Sequence, residues 1–238
     1  VIYSYFILIF AIGLAVWVSI VTRKLTVAAA VIGGILALVI YAGVGLYGLF
    51  MLGAFFILGT LATAWQTSSK NKIGLAEKKD GRTVGQVFAN GGVAGIVSLL
   101  ALRYPENHFI WATMIAGSLS AATADTLSSE LGSVYGKHFY NCITFKKDQR
   151  GLDGVVSLEG VLIGIMGSTI IACIYCIGFG WDIAWLAVAI AGTIGNLADS
   201  VLGATLERKG ILPNDVVNFL NTAMGALSAL ALITAFQS

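Results

Sequence analysis

Eight long stretches of this chain are nearly free of charge. They lie near 1–21, 27–44, 46–66, 84–102, 109–135, 155–179, 183–206 and 215–236. Each approaches the roughly 20 apolar residues that cross a bilayer. Hydrocarbon offers no water to unpaired backbone groups, so such runs must close their own hydrogen bonds as helices. Hydrophobic residues make up 58% of the chain and charged ones only 11%, against about 25% charged in a soluble domain. A soluble all-α domain cannot absorb so many uncharged runs. The 29 Gly suit membrane helices, where small residues let backbones approach. The predicted fold is all-α, a polytopic membrane protein of about eight transmembrane helices forming one unit over 1–238. Only the stretch Gly43–Gly48 divides the second run from the third. The first run lacks a basic leader and a cleavage site, and is read as a helix of the fold rather than a signal peptide.

Charge orients the bundle. Of the 14 Lys and Arg, all but Arg103 fall in loops that eight helices place on one face. Arg23 and Lys24 follow the first helix; Lys70, Lys72, Lys78, Lys79 and Arg82 precede the fourth. Lys137, Lys146, Lys147 and Arg150 join the fifth to the sixth, and Arg208 and Lys209 follow the seventh. Seven helices would scatter these residues over both faces. The positive-inside rule makes the basic face cytoplasmic, or stromal in a plastid. Residues 1–66 hold no charge inside a span and read as scaffold, which leaves 67–238 to carry the chemistry.

Within those spans sit polar residues that hydrocarbon does not welcome: Asn90, Asp125, Glu159, Asn196, Asp199 and Asn221. Intramembrane ionisable residues are costly and mark functional sites. At about 1.5 Å rise per residue, Asn90, Glu159 and Asp199 lie roughly 12–14 Å in from their basic flanks. Helical spacing groups Asp125 with Ser118, Ala122, Ser129 and Gly132. The same spacing groups Asp199 with Gly192, Asn196, Gly203 and Glu207, and Asn221 with Asn214, Asn218 and Gly225. Such stripes of small residues pack helices closely and aim carboxylates into one cavity. For the Asn residues, hydrogen bonding between helices is an equal alternative. For Glu159, Glu207 and Asp215, near helix ends, a solvated or capping role competes.

An internal repeat is also expected. Gly85-Gln-Val-Phe-Ala-Asn90 opens the fourth helix and Gly154-Val-Val-Ser-Leu-Glu159 the sixth. Each follows a basic loop, and each precedes a helix with Ala124-Asp125-Thr126 or Ala198-Asp199-Ser200. A partial third copy begins the eighth helix at Asn218-Phe-Leu-Asn221. Repeats in membrane proteins place shared sites at their interface.

Several carboxylates in a dry cavity repel, and a cation relieves them. Their oxygens are hard ligands suited to Mg²⁺, which usually arrives with phosphates. Loop Lys and Arg would hold those phosphates. The residues thus point to a phosphorylated ligand and Mg²⁺ at the cytoplasmic surface. There is no Walker-type phosphate loop, and no basic-aromatic stripe for nucleic acid. Cys173 and Cys176 have no His or acid beside them and read as packing; Cys142, His108 and His138 show no metal-ligand spacing.

Four stretches carry a resemblance. Arg82-Thr-Val-Gly-Gln-Val-Phe-Ala-Asn90, Ala124-Asp-Thr-Leu-Ser-Ser-Glu130-Leu-Gly132, Gly195-Asn-Leu-Ala-Asp-Ser200 and Asn214-Asp-Val-Val-Asn-Phe-Leu-Asn-Thr222 are similar to the integral-membrane family that contains plant phytyl-phosphate kinase of the vitamin E pathway. The resemblance covers about 60–235. It implies a kinase that moves a phosphoryl group from a nucleoside triphosphate, CTP or another, to an isoprenoid monophosphate in membrane lipid. On that reading Asp125, Asp199 and Arg82 are catalytic. Asn90, Lys72, Arg150, Asn196, Ser200, Asn218 and Asn221 bind substrate phosphates. Asp125, Glu130, Asp199, Glu159 and Asp215 are the candidate Mg²⁺ ligands. The last two helices, with Pro213 and Asp215, also resemble dolichol kinase and phosphatidate cytidylyltransferase, but the cytidylyltransferase's His and Gly residues are missing. A CTP-dependent lipid cytidylyltransferase and a transporter of a small anionic or phosphorylated solute are the alternatives. The transporter requires acids near the midplane.

Overall fold

The computed structural model describes residues 2–67 and 81–237. It is all-α apart from one two-residue β-ladder. Eight long helices occur among the described residues. They are α1 (Ile2–Val21), α2 (Val27–Val44), α3 (Leu46–Ala64), α4 (Val84–Arg103), α5 (His108–Tyr135), α6 (Leu158–Phe179), α7 (Ala184–Leu202) and α8 (Asn214–Gln237). Six of them, α2, α3, α4, α6, α7 and α8, are long and apolar enough to cross a membrane. All eight fall where the uncharged runs place them.

Local chemistry sets the boundaries. Thr26 caps α2 by accepting from the Ala29 N–H. A single residue, Gly45, separates α2 from α3; its φ of +77° is open to glycine at little cost. Thr83 and Gln86 form a reciprocal capping box at the start of α4. Ser157 caps α6. Before it, the α5–α6 connection folds into a hairpin, β1 (Tyr140–Asn141) against β2 (Val155–Val156), antiparallel. Helix α7 ends in a widened π turn, Gly203–Glu207, a feature frequent at functional sites.

Helix α5 is the axle. It packs against α3, α4, α6, α7 and α8, and every residue from Ala112 to Ala124 is buried. These residues are mostly Ala, Ser, Thr and Gly, which explains why α5 is less apolar than the six: its neighbours shield it. Close approach is literal. A Cβ on Gly117 would stand 2.6 Å from the Gly225 carbonyl oxygen, and one on Gly132 would stand 2.6 Å from the Gly160 Cα. Large apolar side chains instead face outward, among them Phe6 and Phe10 on α1, Leu99 on α4 and Met166 on α6. Small residues inside and bulky ones outside is the pattern of helices packed in lipid.

The apolar core lies toward the end remote from the basic loops, around Ile40, Met51, Ile115, Leu119, Ile171 and Tyr175. Tyr175 also meets the Thr113 hydroxyl at 2.9 Å. The other end is left polar.

Helix positions do not support matching Asn90 with Glu159 as repeat equivalents. Gly85 lies inside α4, whereas Gly154 precedes α6 in the hairpin. Asn90 is thus seven residues beyond its cap and Glu159 only two. The apparent match arises from similar Gly- and Val-containing strings in different structures.

Candidate active site

At the polar end, α3, α4, α5, α7 and α8 surround a cavity of about 300 Å³, roofed by the α5–α6 connection. Of the residues expected from sequence, Arg82, Asn90, Asp125, Glu130, Asn196, Asp199, Ser200 and Asn218 line it. The stripes on α5, α7 and α8 do converge.

Asp125 and Asp199 are its centre. Their carboxyl groups face each other at hydrogen-bonding separation, with the charge of Glu207 close to both. The Asp199 Oδ2 is buried and receives no donor. Two carboxylates this close need a shared proton or a cation. Among the described residues, no group of three His, Cys, Asp or Glu forms a metal set. Mg²⁺, however, commonly takes one or two carboxylates and completes its shell with water and substrate phosphates. The all-oxygen pair and the undonated oxygen fit that ion.

Arg82 is fixed at the mouth from both backbone and side chain. Its N–H donates to the Lys24 carbonyl at 2.9 Å, and its carbonyl accepts from the Thr26 N–H at 3.1 Å. The guanidinium donates to the Thr63 hydroxyl at 3.3 Å, and Thr63 donates to Glu130 Oε1 at 3.0 Å. Gly59 makes the space: a Cβ there would lie 3.2 Å from Arg82 Nη2. Asn90 donates from Nδ2 to the Gln86 carbonyl at 2.9 Å, while its Oδ1 is buried without a donor. Asn196 is buried, with its Nδ2 against Gly164. The Ser200 hydroxyl donates to the Asn196 carbonyl at 3.2 Å, and Asn218 donates to Asn214 Oδ1 at 3.1 Å.

The hairpin roof is tied to α7. Gly154, at φ +71°, packs against Ala204 of the π turn where no side chain fits. The Cys142 thiol donates to the Ser200 carbonyl at 3.1 Å, and burial pushes this thiol up from its ordinary value. Arg208 donates to Asp148 at 2.8 Å, which holds the Asp148 carboxyl below the usual range.

Arg150, Glu159, Asp215 and Asn221 stand outside the cavity. Arg150 lies over the Phe139 ring at 5.7 Å, its Nε buried without an acceptor. Glu159 accepts from the Lys137 N–H at 3.4 Å. Asp215 sits in the first turn of α8 against Gly85. Asn221 is fully buried between α8 and α7, beside Gly195, with both side-chain polar atoms unpaired. Lys72 falls outside the described residues. In return the cavity recruits Thr63, Gln86, Asp153, Glu207 and Asn214. Gln86 was legible as the capping-box partner of Thr83, and Glu207 as a member of the α7 stripe. Thr63 had no signal, since α3 reads as uniformly apolar.

A family defined as "integral membrane protein DUF92" matches residues 10–226 of this sequence. The chain belongs to that family. The chain is 33% identical to Protein VTE6, chloroplastic, of Arabidopsis thaliana over 194 residues, 78% of this chain and 58% of that protein. It is 37% identical to an uncharacterised membrane protein of Methanocaldococcus jannaschii over 75% of this chain and 73% of the other. A Synechocystis membrane protein, also uncharacterised, is 32% identical over 83% of this chain and 78% of its own length. The alignment thus spans under two thirds of the Arabidopsis protein but more of the other two. No solved structure matches. The DUF92 match covers every residue that lines the cavity.

Proposed function

We propose that this protein is a membrane kinase that moves a phosphoryl group from a nucleoside triphosphate to an isoprenoid monophosphate, giving the diphosphate. The facing carboxyls of Asp125 and Asp199, with Arg82 at the mouth of the same polar cavity, carry this reading. The motif resemblance and the similarity to the chloroplastic relative support it. All eight helices cross the membrane, and the basic loops put the cavity on the cytoplasmic or stromal side.

The acceptor is already an anion, so no strong base is needed. One of its phosphate oxygens attacks the γ-phosphorus in line. That O–P bond forms as the bond to the bridging oxygen breaks, and the nucleoside diphosphate leaves. Two anions must be brought together against their repulsion, so catalysis is positioning and charge neutralisation. Asp125 and Asp199 would hold Mg²⁺, which when bound would supply Lewis acidity toward phosphate oxygens. The Arg82 guanidinium takes phosphate oxygens in its planar fork. Amides of Asn196 and Asn218 and the Ser200 hydroxyl orient the remaining oxygens, and Asn90 Oδ1 accepts from a water or hydroxyl.

A transporter would need its acids between two mouths; the apolar core that fills the remote half favours the kinase. The test is to incubate purified protein with Mg²⁺, phytyl or geranylgeranyl phosphate and each nucleoside triphosphate, then identify products by mass. Prenyl diphosphate is expected. No turnover with any combination, in protein shown to be folded, refutes the proposal.

A further inference from the structure

Helices α1–α4 enclose a second cavity of about 280 Å³, lined almost entirely by apolar side chains such as Ile12, Val16, Leu36, Leu52, Phe56 and Val87. Apart from Ser19, its polar lining consists of Arg82, Gln86 and Asn90, and these three also line the carboxylate cavity. One wall of α4 therefore faces an anion-binding space on one side and a hydrocarbon-like space on the other. The lining runs eight or nine residues along each of α1, α2 and α3, from Ala11 to Ser19, Ala30 to Ala37 and Leu49 to Phe56, a rise of about 10–12 Å.

Two glycines in this wall lack a packing reason. Glycines at the tight helix crossings permit backbone contact, as Gly117 does with Gly225. A Cβ on Gly53 would meet nothing within 4 Å, and one on Gly33 only Leu25 and Val87 side chains at 3.9–4.0 Å. Glycine inside a helix costs about 1 kcal/mol relative to Ala, and no helix contact at these positions requires it. What these glycines preserve is empty volume.

We infer that the α1–α4 cavity seats the hydrocarbon chain of the acceptor, its phosphate gripped at Arg82, Gln86 and Asn90, and that Gly33 and Gly53 set the chain length admitted. This rests on the proposed kinase reading for the identity of the head group. An amphiphile with one anionic end is the ligand that satisfies both cavities at once through their shared wall.

Two measurements test it. A phytyl phosphate bearing a photoreactive diazirine at its chain terminus is activated on the protein in liposomes, and the adducts are mapped by mass spectrometry. Adducts within 11–19, 30–37 or 49–56, displaced by unlabelled phytyl phosphate but not by added phospholipid, support the assignment. Adducts elsewhere, or equal displacement by phospholipid, overturn it, the latter by making the cavity a groove for bulk lipid. The second measurement compares geranylgeranyl phosphate with dimethylallyl phosphate in Gly33→Leu and Gly53→Leu. The long-to-short turnover ratio should fall at least tenfold; an unchanged ratio overturns the role of the glycines. The labelling arm needs no turnover, so failure of the kinase reading and failure of the chain pocket are distinguishable.

Discussion

Replacing Asp199 with Asn should make the empty protein more stable and the enzyme inactive. The carboxyls of Asp125 and Asp199 face each other at hydrogen-bonding separation, roughly 3 Å. Two full charges there repel by about 5 kcal/mol at an effective dielectric of about 20, so the empty site depends on a shared proton or a cation. Asn in place of Asp199 turns two acceptors into a donor and an acceptor. A hydrogen bond to a charged group contributes about 1.5–3 kcal/mol. At about 2–4 °C per kcal/mol for a chain of this size, Tm in detergent without nucleotide should rise by roughly 3–12 °C. The wild type should gain about 2.7 kcal/mol from Mg²⁺-nucleotide at a hundred times Kd. Asp199→Asn should lose that gain, and kcat/KM should fall at least about 100-fold, the scale of a lost transition-state contact. An Asn variant that melts at or below wild type, and that Mg²⁺-nucleotide still stabilises, would refute both the crowding and the ligand role.

Arg82→Lys keeps the charge but loses the planar fork, and prenyl phosphate turnover should drop about 10–100-fold; a fall under twofold means no bidentate grip. Gly59→Leu should do similar damage by displacing the guanidinium, since even a Cβ would lie 3.2 Å from Nη2. Gly117→Leu drives a side chain into the Gly225 backbone and should cost at least about 1–3 kcal/mol in thermal melting. Gly13→Leu, which meets nothing within 4 Å, should leave Tm unchanged. For Asp148 the folded pKa is lowered by the Arg208 hydrogen bond. Its contribution is therefore present above the ordinary Asp value of about 3.9 and lost as pH falls through the lower folded value. Asp148→Asn should speed proteolysis within 142–152 at neutral pH, and the difference should vanish with an acid protease well below about pH 3.9. A difference that persists there removes the ion pair as the cause.

Much of the bundle was readable because bilayer physics acts on composition. Uncharged runs placed all eight helices, including the break at Gly45, and the stripes of small residues identified which faces of α5, α7 and α8 approach one another. Asp125, Asp199 and Asn196 fall together as those stripes require. Helix ends were harder. Glu159 and Asp215 have the composition of ligands, yet Glu159 caps the Lys137 backbone and Asp215 fills the space beside Gly85. Hydropathy cannot distinguish a carboxylate aimed into a cavity from one turned along a loop. The repeat suffered for the same reason, since its strings matched while their positions relative to the Thr83 and Ser157 caps did not.

By itself the sequence determined that this chain is a helical membrane protein of the DUF92 family, with carboxylates and amides gathered toward the basic-loop end. Hydrocarbon excludes unpaired backbone and charge, and that exclusion is written residue by residue. Tertiary structure alone decided that α3 reaches the polar cavity, through Thr63, and that α1–α4 leave an apolar cavity beside Arg82. An empty space has no sequence signature: it exists only where several helices fail to touch, and no single helix encodes the shape of that gap.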